Sequence, residues 1–357
     1  MSDGATTDGQ QVTESEPLSD GSPAVTPVSS SDGFSVMASP LAETDPLDNE
    51  ARGLAPVSTP ISELGFEFAQ SLSQAEYPTH AEPFRAMAVI RTPNLVDALL
   101  FLLLLLLGLL VATGLAGVAL HFHWFGLRDF AHLQSDTGLA LGSQALLYGV
   151  ALVAAVPFFH KLWGESLLAG LHWHGATALR LRGRLVLTAV LCNVIAMLGN
   201  WVLPFPQHAP IDKMFSTSTD AWLLMTFGIT MAPFVEEMIF RGFLLPGIAT
   251  AWDWCNERMT GRRPRPLDEA GNPRWSAGAM VFAALTVSAP FALMHAEQVG
   301  RAWGPLLLLY CVSLILCTVR LATRSLAAST LVHSAYNFML FAVMFAQTDG
   351  FRHMDKM

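Results

Sequence analysis

Charged side chains make up only 14% of the 357 residues, against 52% hydrophobic. So low a charge density excludes a string of soluble domains and points to a chain that meets lipid. Cysteine is scarce: Cys192, Cys255, Cys311 and Cys317 show no CxxC or other paired spacing, and three of them lie in apolar runs. They read as small buried hydrophobes rather than as a disulfide framework. The familiar signatures of chemistry are missing too. There is no HExxH, no phosphate loop, no GxSxG, and no GxGxxG between a strand and a helix. No basic face suggests nucleic-acid binding. The extreme N-terminus lacks a basic region followed by an apolar core, so no cleavable signal peptide is expected and the first spanning helix serves as the insertion signal.

Positive charge is almost absent from the first 84 residues, which hold fourteen Asp or Glu and one basic residue, Arg52. The remaining chain has fifteen acidic and nineteen basic residues, so an acidic tail is joined to a mildly basic body. Residues 1 to about 58 are rich in Ser, Thr, Pro, Gly, Asp and Glu and poor in aromatics. Such a stretch buries too little apolar surface to offset its ordering entropy, and 1–84 is expected to be a disordered acidic tail. Within it Ile61, Leu64, Phe68 and Leu72 recur at helical spacing. The segment 61–77 therefore reads either as a short helix at the membrane surface or as a linker.

What the body has in abundance is long apolar runs. Hydropathy predicts an all-α polytopic membrane domain over 85–357. Its seven spans fall near 95–120, 139–159, 185–204, 221–250, 276–296, 303–321 and 326–346. The first contains FLLLLLLGLL. The fourth is longer than a bilayer requires, so it tilts, kinks near Pro233 or Pro246, or projects into water. All nine tryptophans fall at or beside proposed span ends, where indole rings favour the headgroup layer. With the N-terminus in the cytoplasm, fourteen Lys or Arg lie on that side and five on the other, the expected sense of the positive-inside bias.

Against this background the informative residues are polar ones inside apolar runs. The fourth span carries Glu236, Glu237 and Arg241 in FVEEMIFRGF, the fifth ends in FALMH with His295, and the seventh holds His333 and Asn337 in HSAYN. Each ionised group at a bilayer centre costs about 2.5–3.5 kcal/mol even on the lenient insertion scale. Glu237 and Arg241 are four apart with the acid first, the favourable order for a helical ion pair. Glu236 lies about 100° around the helix and has no such partner. His333 and Asn337 share a face, as do Phe291 and His295, with Phe291 read as packing. If the three helices pack together, a carboxylate, two imidazoles and an amide converge. A desolvated glutamate can take a proton from water, a histidine can orient that water, and a His and an Asn can donate to an oxyanion. Glu236, His295 and His333 are equally the ligand set of a catalytic zinc site with one position left for water.

In this order, EEMIFR, FALMH and HSAYN match EExxxR, FxxxH and HxxxN. The chain thereby resembles, over about 140–345, the CPBP family: type II CAAX prenyl endopeptidases, Abi proteins and bacteriocin-processing enzymes. The resemblance implies Glu236 as the water-activating base, assisted by His295. It implies His333 and Asn337 as the oxyanion site, and Glu237, Arg241 and Phe291 as supporting residues. It favours a glutamate-dependent reaction with no required cofactor, zinc being the alternative. The basic stretch Asp253 to Arg274 lies outside the family pattern and reads as a solvated connector, or as a guide for substrate or anionic lipid. His121/His123 and His172/His174 sit beside Trp without acidic or Cys companions and read as interfacial aromatics.

The expected protein is a multi-pass intramembrane endopeptidase with an N-terminus in the cytoplasm. Its partners are membrane lipid and a membrane-associated protein or peptide substrate, CAAX-type prenylated ones among them. A membrane scaffold or immunity protein, with a structural polar cluster, is the other class. On these boundaries His295 lies near the outer end of its helix while His333 enters from the inner side, so the two meet only if the helices are offset.

Overall fold

Residues 93–206, 209–263, 265 and 274–353 are described by the computed structural model. The acidic tail expected over 1–84, with its 61–77 segment, lies outside them. Among the described residues seven helices are long and apolar enough to cross a membrane. They are α1 (Leu95–His121), α2 (Thr137–Trp163), α3 (Arg182–Val202), α4 (Ser218–Thr260), α5 (Ala277–Met294), α6 (Trp303–Thr323) and α7 (Leu326–Gln347). These are the spans read from hydropathy. The largest difference is the end of α4, which runs through Trp252 and Trp254 to Thr260 and stops at Gly261, in a left-handed conformation at φ +66°. The first part of the supposed connector Asp253–Arg274 is therefore helix. Its Asp253 is buried, accepts from the Ser276 backbone N–H at 2.7 Å and hydroxyl at 2.6 Å, and ties the end of α4 to the start of α5.

Short polar side chains start the helices where apolar sequence cannot satisfy the free N–H groups. Asn94 and Asp97 form a reciprocal capping box on α1, and Thr217 and Asp220 do so on α4. Asp136, Ser276 and Ser325 cap α2, α5 and α7. The Ser325 hydroxyl also donates to the His174 carbonyl at 3.0 Å, and the Leu326 N–H donates to the His172 carbonyl at 3.1 Å. The His172/His174 stretch thus holds the start of α7 through its backbone.

The large leucines of α1, among them Leu99, Leu103, Leu106 and Leu110, face outward and are exposed. Apart from Phe101 and the capping Asp97, its buried face is small: Ala98, Gly108, Ala112, Ala116 and Ala119, packed along α2, which offers the buried Ala151 and Ala155. Lipid tails are as apolar as leucine, so helices in a membrane associate through close van der Waals approach of small residues. A Cβ at Gly108 would collide with the Leu147 carbonyl oxygen, which is backbone and cannot swing aside. Gly108→Ala is therefore expected to lower stability by about 1–3 kcal/mol, read as a fall in the thermal unfolding midpoint of the purified protein.

Burial singles out two helices. α4 and α7 have 44% of their apolar windows buried, whereas the other five have 17–33%. Three clusters surround them. One joins α1, α2 and α4 through Phe101, Phe159 and Phe243; one joins α3, α6 and α7 through Ala189, Leu316 and Val332. The third joins α4, α5 and α6 through Phe240, Phe291 and Cys317.

α4 itself is not one regular helix. At Thr230 the backbone leaves helical geometry, φ −117° and ψ −79°. Pro233 follows three residues later, lacks an N–H, and crowds the carbonyl four residues before it, which is the physical reason for the break. After Met231–Glu237 the chain widens into a π-helical stretch, Met238–Leu244, before regular helix resumes at Leu245 with Pro246 in its first turn. Both prolines named in the sequence thus sit beside irregularities, and the two glutamates lie between them.

Candidate active site

Glu236 and Glu237 are both buried, 7% and 0% exposed, and their surroundings differ. Glu237 is saturated on one oxygen: its Oε1 accepts from Arg241 Nη1 at 2.9 Å and from His333 Nδ1 at 3.1 Å. Arg241 is fully buried and turns its other amino group to Ser313 of α6, donating from Nη2 to Oγ at 2.7 Å and to the carbonyl at 3.1 Å. The i,i+4 pair expected from spacing exists, across the onset of the π-helical turn. Its fixed fork also locks α4 to α6.

Glu236 makes no hydrogen bond among the described residues. Its ion-pairing contact is with His333, whose Nε2 lies 3.7 Å from Oε2, too far for a direct hydrogen bond. It lines a cavity of about 390 Å³ together with His295, His333, Tyr336 and Asn337, under the ring of Phe291. Gln144 of α2 also lines the cavity and donates from Nε2 to the Tyr148 hydroxyl at 2.9 Å.

His295 follows the last residue of α5. The final carbonyls of a helix have no partner within it, and His295 uses this: its Nδ1 lies 2.8 Å from the Phe291 carbonyl. A carbonyl only accepts, so Nδ1 carries the proton and Nε2 is left as the basic nitrogen. The same argument assigns His333 Nδ1 as donor to the Glu237 carboxylate.

Phe291 does more than pack. Its ring lies against the Arg241 guanidinium, 4.5 Å from centroid to carbon, meets the His333 ring edge-on at 5.7 Å and lies tilted against the His295 ring at 5.1 Å. This answers the offset between the histidines: Phe291, one turn back from His295, reaches His333, and both imidazoles line one cavity.

Asn337 donates from Nδ2 to the Gly228 carbonyl at 2.7 Å. The break at Thr230 frees that carbonyl, and α7 comes close because residue 228 is glycine; a Cβ there would meet the Phe341 ring at 2.9 Å. One N–H of the amide is thus engaged, and one remains for a ligand.

The structure brings Glu236, His295, His333, Asn337 and Phe291 to one cavity, with Glu237 and Arg241 directly behind. Three residues in and around the site were not read from the sequence. Ser313 holds Arg241, Gln144 lines the cavity, and Tyr148 accepts from Gln144; an isolated Ser, Gln or Tyr in an apolar run gives little signal. Arg320, counted from sequence among the loop charges, is buried within α6 with Nη2 3.4 Å from the Leu171 carbonyl. Its signal was its distance from the helix end, since α6 runs on to Thr323.

Among the described residues no group of three His, Cys, Asp or Glu side chains is spaced to hold a metal ion. Glu236, His295 and His333 share a cavity without that convergence. No curated protein and no solved structure matches the chain. A family description, Type II CAAX prenyl endopeptidase Rce1-like, matches residues 218–339, a segment that begins with α4, ends within α7 and contains all seven residues singled out above. Three polar motifs on membrane helices of this multi-pass protein meet at one cavity, and the matched segment, about a third of the chain, is similar to the Rce1-like family of type II CAAX prenyl endopeptidases across all of them.

Proposed function

We propose that this protein is an intramembrane endopeptidase in which Glu236 activates water to hydrolyse a peptide bond of a membrane-associated protein or peptide, CAAX-type prenylated substrates included. The observation that carries the reading is the inequality of the two glutamates. Glu237 is held by Arg241 and His333, whereas Glu236 has a buried carboxylate facing the cavity with its acceptor capacity unspent.

Glu236 takes a proton from water as the water oxygen attacks the scissile carbonyl carbon, and the carbonyl electrons move to oxygen. His295 helps to orient that water through Nε2, the nitrogen left free by the Phe291 carbonyl. Asn337, with its remaining N–H, and His333, through Nε2, stabilise the oxyanion. For Nε2 of His333 to donate, the ring must carry both protons, and the Glu237 carboxylate on Nδ1 is the counter-charge for that state. The tetrahedral intermediate then collapses, the C–N bond breaks, and the proton on Glu236 passes to the leaving nitrogen.

No step is routed through a metal, because the candidate ligands are not arranged as a three-donor set. The expected result is that purified protein holds far less than one metal ion per chain by elemental analysis, and that EDTA leaves cleavage within about twofold. Stoichiometric zinc, with loss of cleavage on chelation and recovery on zinc addition, would reverse this part. The catalytic reading is tested by comparing wild-type and Glu236→Gln protein in liposomes on a membrane-anchored peptide; equal rates overturn it.

A further inference from the structure

We propose that a second cavity, lined by arginines and separate from the one that holds Glu236, is a binding site for a phosphate-bearing anion, and that its walls suit the headgroup of an acidic phospholipid. The proposal goes beyond the endopeptidase reading and does not depend on it.

This cavity measures about 560 Å³ and lies where the start of α5, the end of α6 and the α2–α3 connection meet. It takes Arg274 from the first, Arg320 and Arg324 from the second, and His172 from the third. None of these four is among the described residues that line the Glu236 cavity. Arg274 and Arg324 are exposed, whereas Arg320 is only 4% exposed.

Arg320 is the residue that points to a ligand. Among the described residues it forms no ion pair; the buried Glu237 and Asp253 are taken by Arg241 and Arg265. Its Nη2 reaches the Leu171 carbonyl only at 3.4 Å, beyond the usual range for an N–H donor, and its buried Nε has no hydrogen-bond partner. A guanidinium carries five N–H donors and stays charged, so burying it without an anion is strongly unfavourable. An anion seated between Arg320 and the two exposed arginines supplies both the counter-charge and the acceptors.

The chemistry of the walls selects the anion. The planar fork of arginine matches phosphate oxygens two at a time, and three guanidiniums around one cavity favour phosphate over a single carboxylate. Beside them stand Met280, Leu321 and the ring of Trp275, which is fixed by donation from Nε1 to the Thr250 hydroxyl at 3.0 Å. A free phosphate leaves this apolar wall unused, whereas the glycerol and first acyl carbons of a lipid cover it. The cavity lies at helix ends, beside a tryptophan, at the depth where headgroups sit. Basic pockets between membrane helices hold acidic headgroups by this combination.

The site also connects to the body of the protein. Arg320 is seven residues from Ser313, two helical turns along the same face of α6, and Ser313 holds Arg241. An anion on Arg320 therefore fixes α6 along the face that it turns to α4.

Native mass spectrometry of the full-length protein in neutral detergent tests the proposal, with phosphatidylglycerol, phosphatidylcholine and inorganic phosphate as probes. The wild type is expected to retain one phosphatidylglycerol in preference to phosphatidylcholine, and its thermal unfolding midpoint to rise when that lipid is added. In Arg274→Gln/Arg324→Gln, which changes two exposed residues at helix ends, retention is expected to weaken about 10–30-fold. Arg180→Gln/Arg184→Gln removes the same charge from exposed positions that do not line the cavity, and is expected to bind as the wild type does. Equal retention of the two lipids by the wild type overturns the proposal. So does an equal loss in both double variants, which would mean a diffuse basic surface. Inorganic phosphate at the same concentration is expected to leave the lipid in place; its displacing the lipid would overturn the lipid as ligand and assign the site to free phosphate. Binding is read without cleavage, so the outcome for Glu236→Gln does not bear on it.

Discussion

Glu236→Gln is expected to reduce peptide cleavage by about 10³-fold, the middle of the range for loss of a positioned general base, while abundance, membrane insertion and thermal unfolding stay unchanged. The combination follows from the environment of the side chain. Glu236 makes no hydrogen bond among the described residues, and His333 Nε2 lies 3.7 Å from its carboxylate. The amide keeps the volume, so packing against Phe291 and the cavity wall is undisturbed and no partner is stranded. What is lost is the ability to accept a proton from water. Turnover of a membrane-anchored peptide in liposomes, together with a melting curve of the same preparation, checks both halves. A rate within a few-fold of wild type would remove Glu236 from the reaction, and with it the inequality of the two glutamates as an argument for catalysis.

Arg241→Met is expected to behave in the opposite way, destabilising the protein by about 3–5 kcal/mol, the usual cost of removing one partner from a buried ion pair. Arg241 is fully buried, and its guanidinium joins Glu237, Ser313 and the face of Phe291. Methionine fills much of the space but leaves Glu237 as an uncompensated buried charge and the Ser313 hydroxyl without its donor. Adding Glu237→Gln removes the stranded charge. The double variant is therefore expected to recover a good part of the lost stability, with a coupling above about 1 kcal/mol in a double-mutant cycle. Denaturant or thermal unfolding of the three variants in detergent supplies the cycle. Strictly additive effects would show that the 2.9 Å pair contributes nothing specific. Activity is a separate readout: the double variant leaves His333 without the carboxylate that orients its ring, so cleavage is not expected to return with stability.

The contrast between these two variants restates how the site is built from neighbouring, chemically identical residues. Their separation begins with local geometry. A rotation of about 100° per residue puts consecutive helix side chains on different faces, and four-residue spacing gives only Glu237 a basic partner on its own helix. That much was legible in FVEEMIFRGF, as were the seven spans, whose apolar runs have no other way to satisfy their backbone than helix. The motif residues of α5 and α7 were legible as well, because a His or Asn in an apolar run is conspicuous.

Other parts could not be read from the chain. Phe291 looked like packing because its decisive contact is a backbone carbonyl, freed only because α5 ends three residues later, at Met294. The second partner of Glu237 is His333, almost a hundred residues away, and no spacing rule reaches that far. Ser313 holds Arg241 from a third helix and resembles any serine in a membrane span. The buried state of Arg320 depended on α6 continuing past it.

Sequence alone determined the class of the protein, the number of spans, the caps that start them and which polar residues interrupt them. These follow from composition and from interactions within a few residues along the chain. Tertiary structure decided which glutamate is free and how His295 and His333 come to share a cavity. Those outcomes depend on the break at Thr230, the end of α5 and the close approach of α7 at Gly228. Such contacts join distant residues, and each exists only when the helices that carry it are packed together.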